Sequence, residues 1–98
     1  MFDKMKQLQQ MKEQMDNAKA RMNDISVEGE CQGITVISNA NRKITEVIIP
    51  EEIYSNSSGE EIAELVTMAT NTALENAEQV FESEMRGMAG GLMGGLGF

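Results

Sequence analysis

The sequence has no histidine and no tryptophan, and it has one cysteine and four aromatic side chains among its 98 residues. Histidine is the side chain that most often acts as a general base near neutral pH, so its absence argues against acid–base catalysis. With Cys31 alone and no histidine, an internal disulfide and a zinc site with the usual ligands are both excluded. The composition therefore predicts a protein that is not an enzyme and needs no cofactor.

Long apolar runs and signature motifs are also missing. No apolar stretch has the length of a signal peptide or a transmembrane helix. The most β-branched stretch, residues 47–49, ends at Pro50, which cannot donate a hydrogen bond to a sheet. No phosphate-binding loop, calcium-binding loop or dinucleotide fingerprint is present. We therefore expect a cytoplasmic protein that does not contact a membrane and acts through binding surfaces.

Positive charge is scarce and unevenly placed. The chain has a formal net charge of −8, with 8 basic and 16 acidic residues. Residues 1–22 carry a net charge of +2, whereas residues 23–59 carry −4 and residues 60–98 carry −6. This balance argues against a protein that is basic throughout, as simple nucleic-acid binders often are. Any surface that binds phosphate groups is predicted near the N-terminus or at Arg42 and Lys43.

The N-terminal segment has a helical pattern. Residues 2 to about 23 are rich in glutamine, lysine and methionine, which are good helix formers. Apolar residues recur there at alternating spacings of three and four, as in a coiled coil. A stripe this narrow is typical of a helix that protrudes and pairs with another helix. This apolar stripe comprises Leu8, Met11, Met15, Ala18, Met22 and Ile25.

Three short strands are predicted next. Apolar and polar residues alternate in a way that indicates strands at 25–31, 34–38 and 43–49. Residues 39–41 are two asparagines and an alanine, a composition that favours a hairpin turn between the last two strands. The pattern therefore predicts a three-stranded antiparallel sheet.

The second and third strands are predicted to be apolar on both faces. Ile44 and Ile48 are expected to point to one side of the third strand, and Thr45, Val47 and Ile49 to the other. One layer of helix covers only one face of a sheet, so the other face must meet another element. A second copy of the chain is the simplest such element, and the sequence thus predicts a homodimer.

The C-terminal half predicts a polar loop, a second long helix and a tail. Residues 51–57 are expected to form the loop, and the two serines at 57 and 58 each precede a glutamate by three residues, as in a helix capping box. An apolar stripe over residues 62–80 indicates an amphipathic helix with an acidic outer face. Six of the twelve residues from 87 to 98 are glycine, so we expect a flexible tail after a single domain of residues 1–86.

The N-terminal helix can be interpreted in two ways. Its basic side chains could approach phosphate groups while its glutamines contact the DNA duplex. The alternative is an ordinary charged coiled-coil surface. Only part of the basic charge is aligned, since Lys12 and Lys19 share one face of the helix. Lys6 and Arg21 lie elsewhere on the helix. The residue types alone leave both interpretations open.

Three stretches of the chain together resemble a known family. They are the opening MFDKMKQLQQMKEQM, the segment VEGECQGITVISNANRKITEVIIP, and the long helix with a Gly/Met-rich end. In these stretches the sequence is similar to the YbaB/EbfC nucleoid-associated proteins of bacteria. The resemblance covers roughly residues 1–86 and the order of all elements. Two places depart from the family pattern: Cys31-Gln32 replaces a small, glycine-rich link, and Asn39-Ala40-Asn41 lacks the turn glycine.

The pattern and the resemblance together imply an α+β protomer of the order α-β-β-β-α, with long first and last helices, that forms a homodimer. The resemblance further implies that the homodimer associates with the nucleoid and binds double-stranded DNA, expected with low sequence specificity and with effects on nucleoid organisation and gene expression. The dimer interface is predicted at Leu8, Met11, Met15, Ile44 and Ile48. The residues expected to contact DNA are Lys4, Lys6, Gln7, Gln10, Lys12, Gln14, Lys19, Arg21, Arg42 and Lys43.

A second hypothesis belongs to a different class of function. The methionine-rich stripe and the Gly/Met-rich end could bind another protein, which would make the chain an adaptor linked to DNA recombination or repair proteins. Charge reversal at Lys12 and Lys19 would abolish function under the DNA hypothesis. Polar substitution at Met11 and Met15 would abolish it under the adaptor hypothesis.

Overall fold

The computed structural model describes residues 2–95, with side chains over residues 3–88, and it has the predicted α+β order. A long N-terminal helix precedes a three-stranded antiparallel sheet, and a long C-terminal helix follows the sheet. One short helix that we did not predict lies between the sheet and the last helix. The elements are α1 (Phe2–Asn23), β1 (Ser26–Cys31), β2 (Ile34–Asn39), β3 (Ile44–Ile48), α2 (Glu51–Asn56) and α3 (Gly59–Gly95).

The sheet is built from two hairpins in the order β1-β2-β3. In the first hairpin Cys31 pairs with Ile34, so the loop has only two residues, Gln32 and Gly33. Both have positive φ angles, +48° and +96°, which is the backbone geometry of tight turns that match the twist of a hairpin. Cys31-Gln32 therefore replaces the glycine-rich link without loss of the hairpin, because Gly33 supplies the residue with the larger φ.

The second hairpin contains a bulge that changes which side chains share a face. Ile37 pairs with Glu46 and Ser38 pairs with Ile44, so Thr45 is an extra residue on β3. Directly paired residues of antiparallel strands point to the same side of the sheet. Because Ser38 is fully buried, Ile44 lies on the buried side as well.

The prediction that Ile44 and Ile48 share a face is therefore wrong. Val47 pairs with the buried Val36, whereas Ile48 pairs with Thr35 on the opposite face. Ile44 and Val47 thus belong to the inner face, which α3 covers over the other two strands. Simple alternation fails here because one extra residue reverses the facing of every residue on one side of it.

The outer face of the sheet is less apolar than predicted. Glu28, Ile37 and Glu46 form one row of paired residues across the three strands. The next row consists of Glu30, Thr35 and Ile48. Three glutamates on this face disfavour both a buried apolar interface and contact with a phosphate backbone there.

Helix α3 packs across β1 and β2 and leaves β3 uncovered. Ala69 and Ala73 are fully buried against Ile34 and Val36. Gly29 of β1 makes this close contact possible, because a Cβ atom there would collide with the Ala69 carbonyl oxygen and the Ala73 backbone. All five residues of β3 are exposed, so the main core lies under the first two strands.

Helix α1 joins the body of the protein through its C-terminal end. Ala18 and Met22 are fully buried in a second apolar cluster, to which Phe81 and Met85 of α3 contribute. Every residue from 3 to 17 is exposed, and we call this part of α1 the arm. The predicted protruding helix is therefore present. The protein is correspondingly elongated, with a longest dimension of 66 Å.

The segment after the sheet differs from the predicted loop. Residues 51–56 form helix α2, which follows Pro50 (φ −60°) and begins with a 3.0 Å hydrogen bond from the Ile53 N–H to the Pro50 carbonyl oxygen. Pro50 stands just before the first helical residue, where its missing N–H costs no helical hydrogen bond, and the two glutamates that follow it suit the positive end of a helix. These local preferences outweigh the polar composition from which we predicted a loop.

Helix α3 begins as predicted and ends later than predicted. The Ser58 hydroxyl oxygen accepts a 3.2 Å hydrogen bond from the Glu61 N–H, as a capping residue does. The helix then continues to Gly95, so the backbone over 87–95 is helical where we expected an irregular tail. The flexibility of residues 87–98 stays a prediction, and residues 96–98 lie outside the described part of the chain.

Candidate nucleic-acid interface

The structure exposes all ten predicted DNA-contacting side chains. Eight lie on α1, and the other two lie in and just after the turn between β2 and β3. None of the ten is held in either apolar cluster, so each is accessible to a partner in the isolated chain. The arm carries Lys4, Lys6, Gln7, Gln10, Lys12 and Gln14, its base carries Lys19 and Arg21, and the turn region carries Arg42 and Lys43.

The side chains of α1 that are predicted to contact DNA are spread around the helix. At roughly 100° per residue and 1.5 Å of rise, Lys12 and Lys19 lie on one flank of the apolar stripe, about 10 Å apart along the helix axis. Gln10 and Gln14 lie on the other flank, Lys6 lies nearly opposite the stripe, and Lys4 lies on it. The helix therefore has no single continuous basic face: one flank offers lysines, and the other offers mainly amide groups.

The positive charge of α1 is concentrated at the base of the arm. Within residues 3–17, three lysines are balanced by three acidic residues, so the excess comes from Lys19 and Arg21. The Arg21 guanidinium lies 3.5 Å from the Glu84 carboxylate of α3. The Arg21 side chain is 60% exposed, so water screens the ion pair and a phosphate group could compete for the arginine.

The turn between β2 and β3 contacts the base of the arm. The side-chain amide of Asn41 donates hydrogen bonds to the Lys19 carbonyl oxygen, at 2.9 Å, and to the Asn23 side-chain oxygen. Within the turn, the Asn39 side-chain oxygen accepts hydrogen bonds from the backbone N–H groups of Asn41 and Lys43, at 3.0 and 3.1 Å. We predicted a turn from these asparagines and missed their bonds to α1. Nothing in the sequence shows which distant segment a turn will contact.

Arg42 and Lys43 have different surroundings. Arg42 has a φ of +63°, which is uncommon for a residue other than glycine. Its guanidinium lies over the Phe81 ring, 5.8 Å from the centroid, and lines an open groove together with Glu75 and Glu78. Lys43 is exposed at the start of β3. Of this pair, Lys43 is thus the better candidate for a phosphate contact.

The apolar stripe is bare along the arm. Leu8, Met11 and Met15 are 65%, 42% and 43% exposed, and Met5 is 62% exposed. The first three belong to the predicted dimer interface. Met5, which is not among the predicted residues, lies three residues before Leu8 and so on a neighbouring part of the same face. Large apolar side chains exposed in a row indicate a surface that a partner covers.

The described residues offer little to other kinds of chemistry. Within residues 3–88, no group of three or more acidic or cysteine side chains could hold a metal ion. In the part of the chain that the structure describes, no helix combines the length and apolar character needed to cross a membrane. Cys31 is a half-buried thiol whose sulfur lies 4.0 Å from the Met68 sulfur. The candidate site is therefore the arm, its base and the neighbouring turn.

Comparison with known proteins places this architecture in a family. The chain matches the model of the YbaB/EbfC DNA-binding family over residues 1–92. A protein named nucleoid-associated protein from Caulobacter sp. (strain K31) is 33% identical over 94% of this chain and 89% of the relative. Relatives of the same description from Caldanaerobacter subterraneus subsp. tengcongensis and Bacillus thuringiensis (strain Al Hakam) are 32% and 37% identical, over 88% and 81% of this chain and 79% and 74% of the relatives. The resemblance seen in the sequence is thus confirmed, and the chain belongs to the YbaB/EbfC DNA-binding family.

Proposed function

We propose that two copies of this chain form a homodimer that binds double-stranded DNA with low sequence specificity. The dimer would act in the cytoplasm, at the nucleoid, where it contributes to nucleoid organisation and gene expression. The observation that carries the proposal is the exposure of the whole arm. Its lysines and glutamines are accessible to DNA, and its apolar stripe is accessible to a second copy of the chain. Membership of a DNA-binding family supports DNA as the ligand.

The uncovered strand β3 supports dimerisation. Ile44 and Val47 are 42% and 43% exposed on the inner face of the sheet, beyond the edge of α3. β3 is also an edge strand, so its outer backbone groups can pair with another strand. The opposite edge is partly occupied, because the Asn76 side chain donates a 2.7 Å hydrogen bond to the Glu28 carbonyl oxygen of β1. A second copy therefore fits best at β3, with Ile44 in the interface and Ile48 on the other face.

The charge distribution supports a defined orientation on DNA. The outer face of the sheet carries three glutamates, and residues 60–98 carry a net charge of −6, so both regions repel a phosphate backbone. The duplex is thereby directed to the arms and their bases. Contacts from lysine to phosphate carry no sequence information, which accounts for low specificity. A dimer presents two such surfaces on one body, which offsets the weakness of each.

A salt titration tests the proposal. A labelled duplex is titrated with the protein at several salt concentrations, and binding is followed by fluorescence anisotropy. If about four to six phosphates are neutralised, the logarithm of affinity falls against the logarithm of salt concentration with a slope of roughly −4 to −5. Mass measurement in the same buffers is expected to give the mass of two chains.

A matched pair of charge reversals assigns the binding to the arm. Lys12→Glu is expected to weaken binding about tenfold and to reduce the magnitude of the salt slope by about two, because the dimer loses one lysine from each arm. Arg86→Glu changes the net charge equally on the exposed surface of α3 and is expected to have a much smaller effect. Failure of the wild-type protein to bind any duplex at low salt would contradict the proposal, and so would a single-chain mass at working concentrations.

The bare apolar stripe favours a second candidate function, a protein-interaction adaptor linked to DNA recombination or repair proteins. In that case the partner, rather than a second copy, covers Met11 and Met15. Paired variants separate the two functions, because Met11→Ser/Met15→Ser removes apolar surface while Lys12→Glu/Lys19→Glu reverses charge on one flank. Loss of DNA binding with the charge pair and retention of DNA binding with the serine pair favours the first candidate. The reverse result favours the adaptor.

A further inference from the structure

Asn41 connects the turn between β2 and β3 to the end of α1 through both hydrogens of its side-chain amide. One is donated to the Lys19 carbonyl oxygen at 2.9 Å, and the other to the side-chain oxygen of Asn23, the last residue of α1. Asn39 holds the turn in place, because its side-chain oxygen accepts the Asn41 and Lys43 backbone N–H groups. The donors therefore come from an ordered turn rather than from a free side chain.

The backbone of the same turn also contacts the end of α1. The Ala40 N–H is within hydrogen-bond distance of the Met22 and Ile25 carbonyl oxygens, at 3.1 and 3.0 Å. This contact locates the end of the helix at one point. One Asn41 bond lies beside this point, at Asn23, and the other lies about one helical turn closer to the arm, at Lys19. The bond to Lys19 therefore opposes rotation of the helix about that point.

Other described contacts of α1 lie at the same end. Ala18 and Met22 are buried, and Arg21 forms an exposed ion pair with Glu84. The arm has no buried residue, so a change in the direction of α1 at its C-terminal end displaces the whole arm. A tilt of about 10° at Lys19 moves Lys4, roughly 22 Å away along the axis, by about 4 Å. A small change in the tilt of α1 at its base thus produces a large displacement of the side chains that would contact a ligand.

We infer that Asn41 is a positioning residue that sets the direction in which the arm leaves the sheet. In the homodimer it thereby sets the separation of the two arms and the strength of DNA binding, a part of the inference that rests on the proposed function. A glycine at this position would allow the turn but would supply no side-chain amide to bond with α1. Asn41 acts through α1 and need not touch DNA itself.

Distance measurement on the DNA-free protein tests the positioning role. Spin labels are attached to cysteines introduced at the exposed Gln9 and Thr72, in a Cys31→Ser background, and labelled chains are mixed with excess unlabelled chains. Pulsed electron resonance is expected to give one narrow distance distribution for this reference protein. Asn41→Ala is expected to broaden the distribution or shift it by several ångströms.

Two further variants make the result specific. Asn56→Ala removes an asparagine in α2 that likewise donates to a backbone carbonyl oxygen, that of Glu52 at 2.8 Å, and should leave the distribution unchanged. Asn23→Ala removes one of the two α1 oxygens that accept from Asn41, an oxygen that also lies 3.5 Å from the Asn39 side-chain nitrogen, and should broaden the distribution as Asn41→Ala does. If Asn41→Ala fails to fold, Asn23→Ala decides. An unchanged distribution in a folded variant overturns the inference.

DNA binding is measured separately on the unlabelled variants. Asn41→Ala is expected to bind a duplex about three- to tenfold more weakly than the wild type, the effect of losing one or two neutral hydrogen bonds from a pre-organised site. Asn56→Ala should bind within about twofold of wild type. If the wild type binds no duplex, the proposed function fails while the distance measurement still decides the positioning role. If the distances widen and affinity is unchanged, the link between arm direction and binding is overturned.

Discussion

The two long helices carry similar apolar stripes and bury them very differently. On α3 the stripe contains Ala69, Ala73 and Ala77, all fully buried. On the arm the stripe contains Leu8, Met11 and Met15, all exposed. Small side chains let a helix backbone approach a sheet closely, whereas long ones need a complementary surface of their own. The periodicity of a stripe thus predicts a helix but does not show which part of it the same chain covers, since Met22, at the other end of the α1 stripe, is fully buried.

The largest effect is expected where α3 touches β1. Gly29→Val should destabilise the protein by about 3 kcal/mol or prevent folding, because a Cβ atom would enter the backbone of α3 at Ala69 and Ala73. Valine is a good strand former, so the cost would come from the collision. Urea denaturation followed by circular dichroism measures the change. Gly59→Ala is the control, since no heavy atom lies within 4 Å of a Cβ placed there. Normal stability of Gly29→Val would show that α3 does not approach β1 so closely.

The next effect compares the two ends of the stripe on α1. Met22→Ala should lower the free energy of unfolding by about 2–3 kcal/mol, because Met22 is fully buried and its removal leaves a cavity. Met15→Ala should change the unfolding of the single chain by less than about 0.5 kcal/mol, since Met15 is 43% exposed. If a second copy of the chain covers the arm in the dimer, Met15→Ala should instead raise the dissociation constant of the dimer. Equal losses of stability at low protein concentration would contradict the distinction between the arm and its base.

Much of the fold could be predicted because its local signals agree with its packing. The spacing of apolar residues located α1 nearly to the residue, and the serine before α3 marked its start. The facing of β3 could not be predicted, because the bulge at Thr45 depends on how the strand pairs and not on its own composition. Helix α2 was missed for the opposite reason, since a polar segment of six residues carries no periodic signal.

The candidate site could be predicted only in part. The exposure of the lysines and glutamines on α1 could be predicted, because the apolar stripe beside them is too narrow to bury the helix in a core. The different surroundings of Arg42 and Lys43 could not, because the aromatic ring under Arg42 belongs to Phe81, which is 39 positions further along the chain. The same holds for the bonds from Asn41 to α1. Contacts between distant segments set these surroundings, and one sequence without its fold does not contain them.

The two faces of β3 can be compared directly, because Val47 and Ile48 are neighbours in sequence but lie on opposite faces of the sheet. Val47→Lys should weaken dimerisation about tenfold or more, because it places a charge in the apolar inner surface that a second copy is proposed to cover. Ile48→Lys introduces the same charge on the outer face, next to Thr35 in the row of paired residues that ends at Glu30, and should have little effect. Sedimentation at several concentrations measures both dissociation constants. A larger effect from Ile48→Lys would move the interface to the outer face.

The smallest effect is expected at the ion pair that joins α1 to α3. Glu84→Gln should change the free energy of unfolding by less than about 1 kcal/mol, because the pair between Arg21 and Glu84 is exposed and screened. It should also raise DNA affinity by about twofold, since Arg21 would then be free to contact a phosphate group. Glu82→Gln removes the same charge from an exposed residue nearby and serves as the control. If both variants raise affinity equally, the gain reflects net charge alone; if only Glu84→Gln does, Arg21 contacts DNA and the base of the arm belongs to the binding surface.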